Sequence, residues 1–234
     1  MEPELPDPAI CTDLNCEDTA EDGHTLGAYR ADPSGAPKGG IIVIQEIFGV
    51  NNHIRETCDR FASEGYVAIA PALYDRTDTK NCSLGYTPED IAIGRDLKDE
   101  FSWDLCMLDL KAAKAVMEGE GLKVGTVGYC WGGTISYLAG TRIGVAASVV
   151  YYGGQIMPYI NEKESCPLLM HFGEHDKGIP LADVAAIDKA HPDAVVHIYD
   201  ADHGFNCDHR GSYNEAAGDL ARGRTMELFA AQLS

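Results

Sequence analysis

Short, nearly continuous apolar runs alternate along the chain with stretches in which apolar residues return every three or four positions. "GGIIVIQE", Gly39 to Glu46, has the continuous pattern of a strand buried on both faces. In "NNHIRETCDRFASEG", which follows after a short gap, Ile54, Cys58, Phe61 and Ala62 fall at helical spacing. Asn51 or Asn52 can cap the start of that helix, and Gly65 can close its end. "YVAIAP", Tyr66 to Pro71, reads as the next strand. A long polar excursion then runs through Thr87, and helical spacing returns at Leu105, Leu108, Ala112, Ala115 and Val116. "KVGTVG", "AASVVYYG", "PLLMHFG" and "AVVHIY" are four further buried-strand candidates, separated by helix-compatible segments. A hairpin around His24 to Arg30 precedes the series, and Leu220, Met226, Leu228 and Phe229 mark the apolar side of a closing helix.

Strands alternating with helices predict an α/β fold: a mainly parallel central sheet, right-handed crossovers and helices on both faces. Ligands in such sheets settle beyond the carboxyl ends of the strands, so residues just after each strand carry the chemistry. Those positions hold Glu46, Cys130, Asp176 and His203.

Cys130 stands in Gly128-x-Cys130-x-Gly132-Gly133, the pattern of a nucleophile elbow with cysteine in place of serine. The turn forces unusual backbone angles at the nucleophile, and side chains beside it would collide with the neighbouring strand and helix. An elbow that opens a helix faces the positive end of the helix dipole, which favours thiolate over the free-thiol pKa of about 8.5. The backbone N–H groups of Trp131 and Ile47 are candidate oxyanion donors. His203 would act as base and then acid, with Asp176 orienting it, and the chain order nucleophile, acid, base is that of α/β-hydrolases.

Competing readings attach to the same residues. Cys130 can be a small apolar filler, and Asp202 competes with Asp176 for the acid role. "DHGFNCDH" brings His203, Cys207, Asp208 and His209 close in sequence, but no second cluster at zinc-site spacing accompanies it, so no metal is expected. Cys207 could also resolve a redox-active Cys130.

Composition narrows the function classes. A chain of 234 residues with 45% apolar content fits one large domain, expected over residues 23–234 behind an acidic leader at 1–22. A net charge of -19 with no basic patch argues against nucleic acid or an acidic membrane surface as partner. Eight cysteines with no CxxC pair and no export signal point to reduced thiols and a cytoplasmic location, with a Cys11 to Cys16 disulfide as the alternative. The expected partner is a small molecule, and the expected assembly a monomer or weak homodimer.

"DGHTLGAY", "QEIFGVN", "GYCWGG", "HFGEHD" and "DHGF" stand in an order and approximate spacing that resemble the dienelactone hydrolases, the carboxymethylenebutenolidase-like branch of the α/β-hydrolases, from about Gly23 to Phe229. The resemblance implies a Cys130, Asp176, His203 triad, with Glu46 holding the resting cysteine and rearranging when substrate arrives. It also implies a lactone or ester substrate, no metal or organic cofactor, and Phe48 and Tyr152 near the pocket. Members of the family grip the substrate carboxylate with arginines, yet the corresponding positions here are Cys207 and, without gaps, Ile91; Arg95, one helical turn further on, is the replacement expected. The alternative function is a non-catalytic ligand-binding module on the same fold.

Overall fold

In the computed structural model, which describes residues 14–234, eight strands form one sheet. They are β1 (Cys16–Thr19), β2 (Thr25–Ala31), β3 (Gly40–Ile44), β4 (Val67–Pro71), β5 (Val124–Tyr129), β6 (Ala147–Tyr151), β7 (Leu168–Gly173) and β8 (Val195–Tyr199). Their order across the sheet is β1-β2-β4-β3-β5-β6-β7-β8. The strands from β3 onward pair in parallel, while β1 and β2 are antiparallel additions at one edge. Six helices accompany them: α1 (Asn52–Ser63), α2 (Pro88–Asp99), α3 (Trp103–Gly119), α4 (Trp131–Arg142), α5 (Leu181–Ala190) and α6 (Glu215–Leu233).

Every residue of β3, β4, β5, β6 and β7 is buried, as their continuous apolar runs require, because helices cover both faces. On one face Phe61 of α1 meets Phe229 of α6 edge to face, with centroids 5.9 Å apart. α3 and α4 pack together on the other. α1 starts where expected, with the Asn51 side chain accepting from the Ile54 N–H at 3.3 Å, and Gly65 follows its end at φ 99°. Cys58 is fully buried core.

The structure departs from the sequence reading in three places. The sheet begins at Cys16, so a domain boundary at residue 22 falls inside the β1–β2 hairpin. Acidic composition misleads there because part of it is built into the fold: Asp18 is buried in β1, and Asp22 joins Arg76, which also pairs with the fully buried Asp109. Residues 1–13, and with Cys11 the Cys11 to Cys16 pair, lie outside the described residues.

The second departure is α2, which begins just after the polar excursion, ahead of Leu105, where helical spacing returns in the sequence. Only Gly94 and Leu97 of this helix are buried, so it carries almost no apolar period. Its start is set instead by a capping box between Thr87 and Asp90 with Pro88 in the first turn. A Cβ at Gly94 would come within 2.3 Å of the Ile47 carbonyl oxygen, so glycine lets α2 lie directly on the loop after β3.

The third is the packed stripe of α6, which runs through Ala217, Ala221, Thr225, Phe229 and Leu233, one residue per turn, while Leu220 is 52% exposed. Small residues and a threonine form most of this face, which a search for large apolar side chains passes over. Truncation of Phe229 to alanine should therefore lower the unfolding free energy by about 3–5 kcal/mol. Leu220→Ala should change it by less than about 0.5 kcal/mol in the same urea titrations.

Candidate active site

The register of the central strands brings Ile44 beside Gly128 and Tyr129 beside Tyr151, so the loops after β3, β5 and β6 leave the sheet at one rim. Cys130 sits there between β5 and α4 with φ 56° and ψ -117°, a conformation that costs a non-glycine residue about 1–3 kcal/mol. Its N–H donates to the Tyr151 carbonyl at 3.0 Å. The surrounding glycines are steric necessities. A Cβ on Gly128 would lie 1.8 Å from the Gly132 carbonyl oxygen, and one on Gly132 2.3 Å from that of Gln45. Trp131, the first residue of α4, stacks on Tyr74 at 5.5 Å and meets Phe101 edge to face, which fixes the helix start against its neighbours.

His203 lies in the turn after β8. Its Nδ1 is 2.6 Å from Asp176 Oδ2, and Asp176 Oδ1 accepts from the Gly178 N–H at 2.8 Å. Asp202 instead accepts the backbone N–H of His203, so Asp176 rather than Asp202 meets the imidazole. Burial alone disfavours the imidazolium. The electrostatic interaction with Cys130, then hydrogen bonds to Asp176 and Cys130, overcome that penalty and push the His203 pKa up to about 10.

Cys130 and His203 open onto a cavity of about 310 Å³. Ile47, Phe48 and Trp131 line it, as do the cationic residues Arg95, Lys98 and Arg210, with no aspartate or glutamate among the lining residues. Lys98 also pairs with its neighbour Asp99. Ile47, Phe48, Trp131 and Arg95, all singled out in the sequence, are among the lining residues.

Three further residues singled out in the sequence are not among the lining residues. Glu46 is buried, but its carboxylate accepts from Arg210 Nη1 at 3.1 Å and from the Tyr86 hydroxyl at 3.5 Å, and among the described residues these are its hydrogen-bond partners. Tyr152 is fully buried with its ring 5.0 Å from that of His203, beneath the cavity rather than lining it. Cys207 is fully buried too. Its Sγ lies 3.3 Å from the Tyr86 hydroxyl and stays off the cavity wall.

The residue the sequence reading missed is Arg210. Successive turns, Cys207 N–H to the Gly204 carbonyl and Arg210 N–H to the Cys207 carbonyl, bring residue 210 back over the site that residue 207 cannot reach. Gly204, at φ 78°, makes room: a Cβ there would fall 2.6 Å from Arg210 Nη1. The guanidinium lies over the rings of Phe48 and Tyr86 at 5.8 and 5.7 Å. The arginine three residues past the vacant family position was the signal available.

A parallel sheet with this elbow at its rim is the framework of the α/β-hydrolase fold, and the molecule is a hydrolase of that class. The model of the Dienelactone hydrolase family matches residues 26–233, and the chain belongs to that family. A protein of Synechocystis sp. named "Putative carboxymethylenebutenolidase" is 41% identical over 212 residues, covering 82% of this chain and 86% of that relative. The carboxymethylenebutenolidase of Pseudomonas putida is 32% identical over 218 residues, 89% of this chain and 92% of its own. The crystal structure of a "Putative Dienelactone Hydrolase" from Klebsiella pneumoniae superposes with a TM-score of 0.80 at 30% identity, covering 91% of this chain and 97% of that one. No helix among the described residues is long and apolar enough to cross a membrane.

Because the His203 pKa is raised, the imidazole keeps its proton through neutral pH and gives it up as the pH rises through about 10. NMR titration of His203 should find that midpoint, and both Asp176→Asn and Cys130→Ala should lower it. A wild-type midpoint at the ordinary value of about 6.5 would contradict the described electrostatics.

Proposed function

We propose that the chain is a cysteine hydrolase that opens a lactone, or cleaves a small ester, carrying a carboxylate, through a thioester acyl-enzyme. The observation that carries this reading is the 2.6 Å contact of Asp176 with His203, whose other neighbour is a cysteine held at a strained elbow on the cavity wall.

In the proposed reaction the proton of Cys130 rests on His203, and the thiolate attacks the carbonyl carbon. The carbonyl electron pair moves to oxygen, where the N–H groups of Ile47 and Trp131 receive it. Collapse breaks the carbon–oxygen bond of the ester, and His203 gives its proton to the departing oxygen. In a lactone that oxygen remains tethered to the acyl group, and in an ester it leaves as the alcohol. His203 next takes a proton from water, hydroxide attacks the thioester, and the Cys130 thiolate departs as the acid product forms. One water is consumed, and the cysteine and histidine return to their starting state. Asp176 holds the imidazole tautomer and stabilises the imidazolium throughout.

Arg95 and Arg210 bind the substrate carboxylate in this reading, with Lys98 adding to the field. Glu46 acts as a positioning residue that orients the Arg210 guanidinium. The cationic lining supports an anionic substrate all the more because the whole chain carries a net charge of -19. The described cysteines are free, which supports a role in a reducing compartment such as the cytoplasm.

Cys130→Ala should reduce kcat/KM on enol lactones and activated esters by about 10⁴-fold or more, and mass spectrometry of a slowly turning over His203→Gln variant should find the acyl group on Cys130. Turnover by Cys130→Ala at the parental rate would refute the mechanism. Arg210→Ala and Arg95→Ala should each raise KM for a carboxylate-bearing lactone by about tenfold, equivalent to about 1.4 kcal/mol, and leave a neutral ester of the same size unaffected. Equal losses on both substrates would remove the assigned role of the arginines.

A further inference from the structure

Glu46, His53 and Cys207 meet although they stand after β3, in the first turn of α1 and in the turn beyond His203. A carboxylate oxygen, an imidazole nitrogen and a thiol sulfur all lie within 4.8 Å of one another, and all three residues are buried. The sequence reading set a metal aside because the cysteine and histidine motifs offered no second ligand cluster. Two of these three ligands come from a distant part of the chain that no local spacing reveals.

His53 supplies an independent observation. It is 1% exposed, and neither Nδ1 nor Nε2 has a hydrogen-bond partner among the described residues. Asp208 Oδ1 is 3.5 Å from Nδ1, too far for a good hydrogen bond. A neutral imidazole offers one donor and one acceptor, so a buried ring with both unmet calls for a partner that the polypeptide does not supply. The Tyr152 hydroxyl is likewise buried and unpartnered, and Glu46 and Cys207 are among its electrostatic neighbours.

The donors nearby retain capacity. Glu46 Oε1 is taken by Arg210, but Oε2 has only the long 3.5 Å contact to Tyr86. Cys207 has its 3.3 Å contact to the same hydroxyl and a backbone hydrogen bond with His209, which leave room on sulfur for a further bond. One oxygen, one nitrogen and one sulfur ligand form the mixed set that suits a borderline-soft, four-coordinate cation and leaves one position for water or a phenol oxygen.

We propose that Glu46, His53 and Cys207 form a binding site for a divalent cation of the zinc class, distinct from Cys130. On binding, the sulfur–hydrogen bond of Cys207 breaks, its proton passes to solvent, and sulfur, nitrogen and carboxylate oxygen bond the metal. The two negative ligands offset the cation's charge, and the Glu46 carboxylate, then shared with the metal, holds Arg210 less firmly. A more exposed trio of His53, Asp208 and His209 competes for the same imidazole. It is the weaker site, because Arg60 already holds Asp208 at 2.5 Å and Glu56 holds His209 at 2.9 Å.

Glu46 also orients Arg210, so filling the site should slow turnover. That consequence rests on the proposed function, whereas metal binding itself does not. The test uses the full chain, freed of metal by a chelator and titrated with Zn²⁺ in a calorimeter. Wild type and Cys130→Ala should bind one equivalent with matching affinity, and His53→Phe should weaken binding by at least about tenfold. Co²⁺ should give a thiolate-to-metal charge-transfer band in wild type and Cys130→Ala that is absent from Cys207→Ser. Circular dichroism checks that each variant folds, and if His53→Phe does not, the nearly isosteric Cys207→Ser decides. Loss of binding in Cys130→Ala with retention in His53→Phe would move the metal to the proposed catalytic pair and overturn the site. No binding by wild type, or a Co²⁺ complex unchanged in Cys207→Ser, would overturn it as well. Unaltered hydrolysis with one equivalent of Zn²⁺ bound would leave the site standing and remove the role given to Glu46.

Discussion

The close approach of backbone to backbone where α4 begins is the constraint from which the rest of the rim follows. Gly128 lies against the Gly132 carbonyl, and Gly132 against the carbonyls of Ile44 and Gln45, with no space for a methyl group at either contact. The helix start is thereby pressed onto the ends of β3 and β5. This forces Cys130 into its positive-φ conformation and presents its sulfur at the cavity wall. The same contact sets the loop that carries Ile47 and Phe48 beside the sulfur. The backbone strain at one residue is balanced by the packing of a helix whose residues from Trp131 to Gly140 are all buried.

Most of the sheet was legible in the sequence because strands buried on both faces must be apolar throughout, and β3 to β7 obey that rule. β8 was legible as well, although its outer residues Val195 and Ile198 are exposed at the sheet edge. What escaped was structure stabilised by other means. β1 is held by backbone pairing and by the Asn15 side chain, which both donates to and accepts from the backbone of Arg30 at 2.7 Å. α2 is held by its cap, by the Gly94 contact and Leu97, and by the partly buried Ile91 and Ile93. α6 was expected as a closing helix, but most of its packed stripe is small side chains that leave little apolar signature.

The candidate site divides along a similar line. Cys130, Asp176 and His203 stand at or shortly after strand ends, where chain order and topology bring side chains together, so they could be singled out from strand pattern and motif. The surrounding polar residues depend on loop geometry. Cys207 occupies the position from which a cation was expected and turns inward to Tyr86, while the following turns swing Arg210 into the space above Gly204. Glu46 was correctly placed after β3, but its partner could not be anticipated without knowing where residue 210 would lie. Pair distances across 164 positions of sequence are set by the whole fold.

The slight anchoring of α2 has a bearing on how such a molecule diversifies. Arg95 and Lys98 project from a helix whose buried residues are Gly94 and Leu97, while the sulfur, imidazole and acid are carried by turns that follow β5, β8 and β7. Exchanges along the outer face of that helix change the charge lining the cavity at little expense to folding. The cationic lining and the cysteine, histidine and aspartate cluster thus sit on separate elements of the fold.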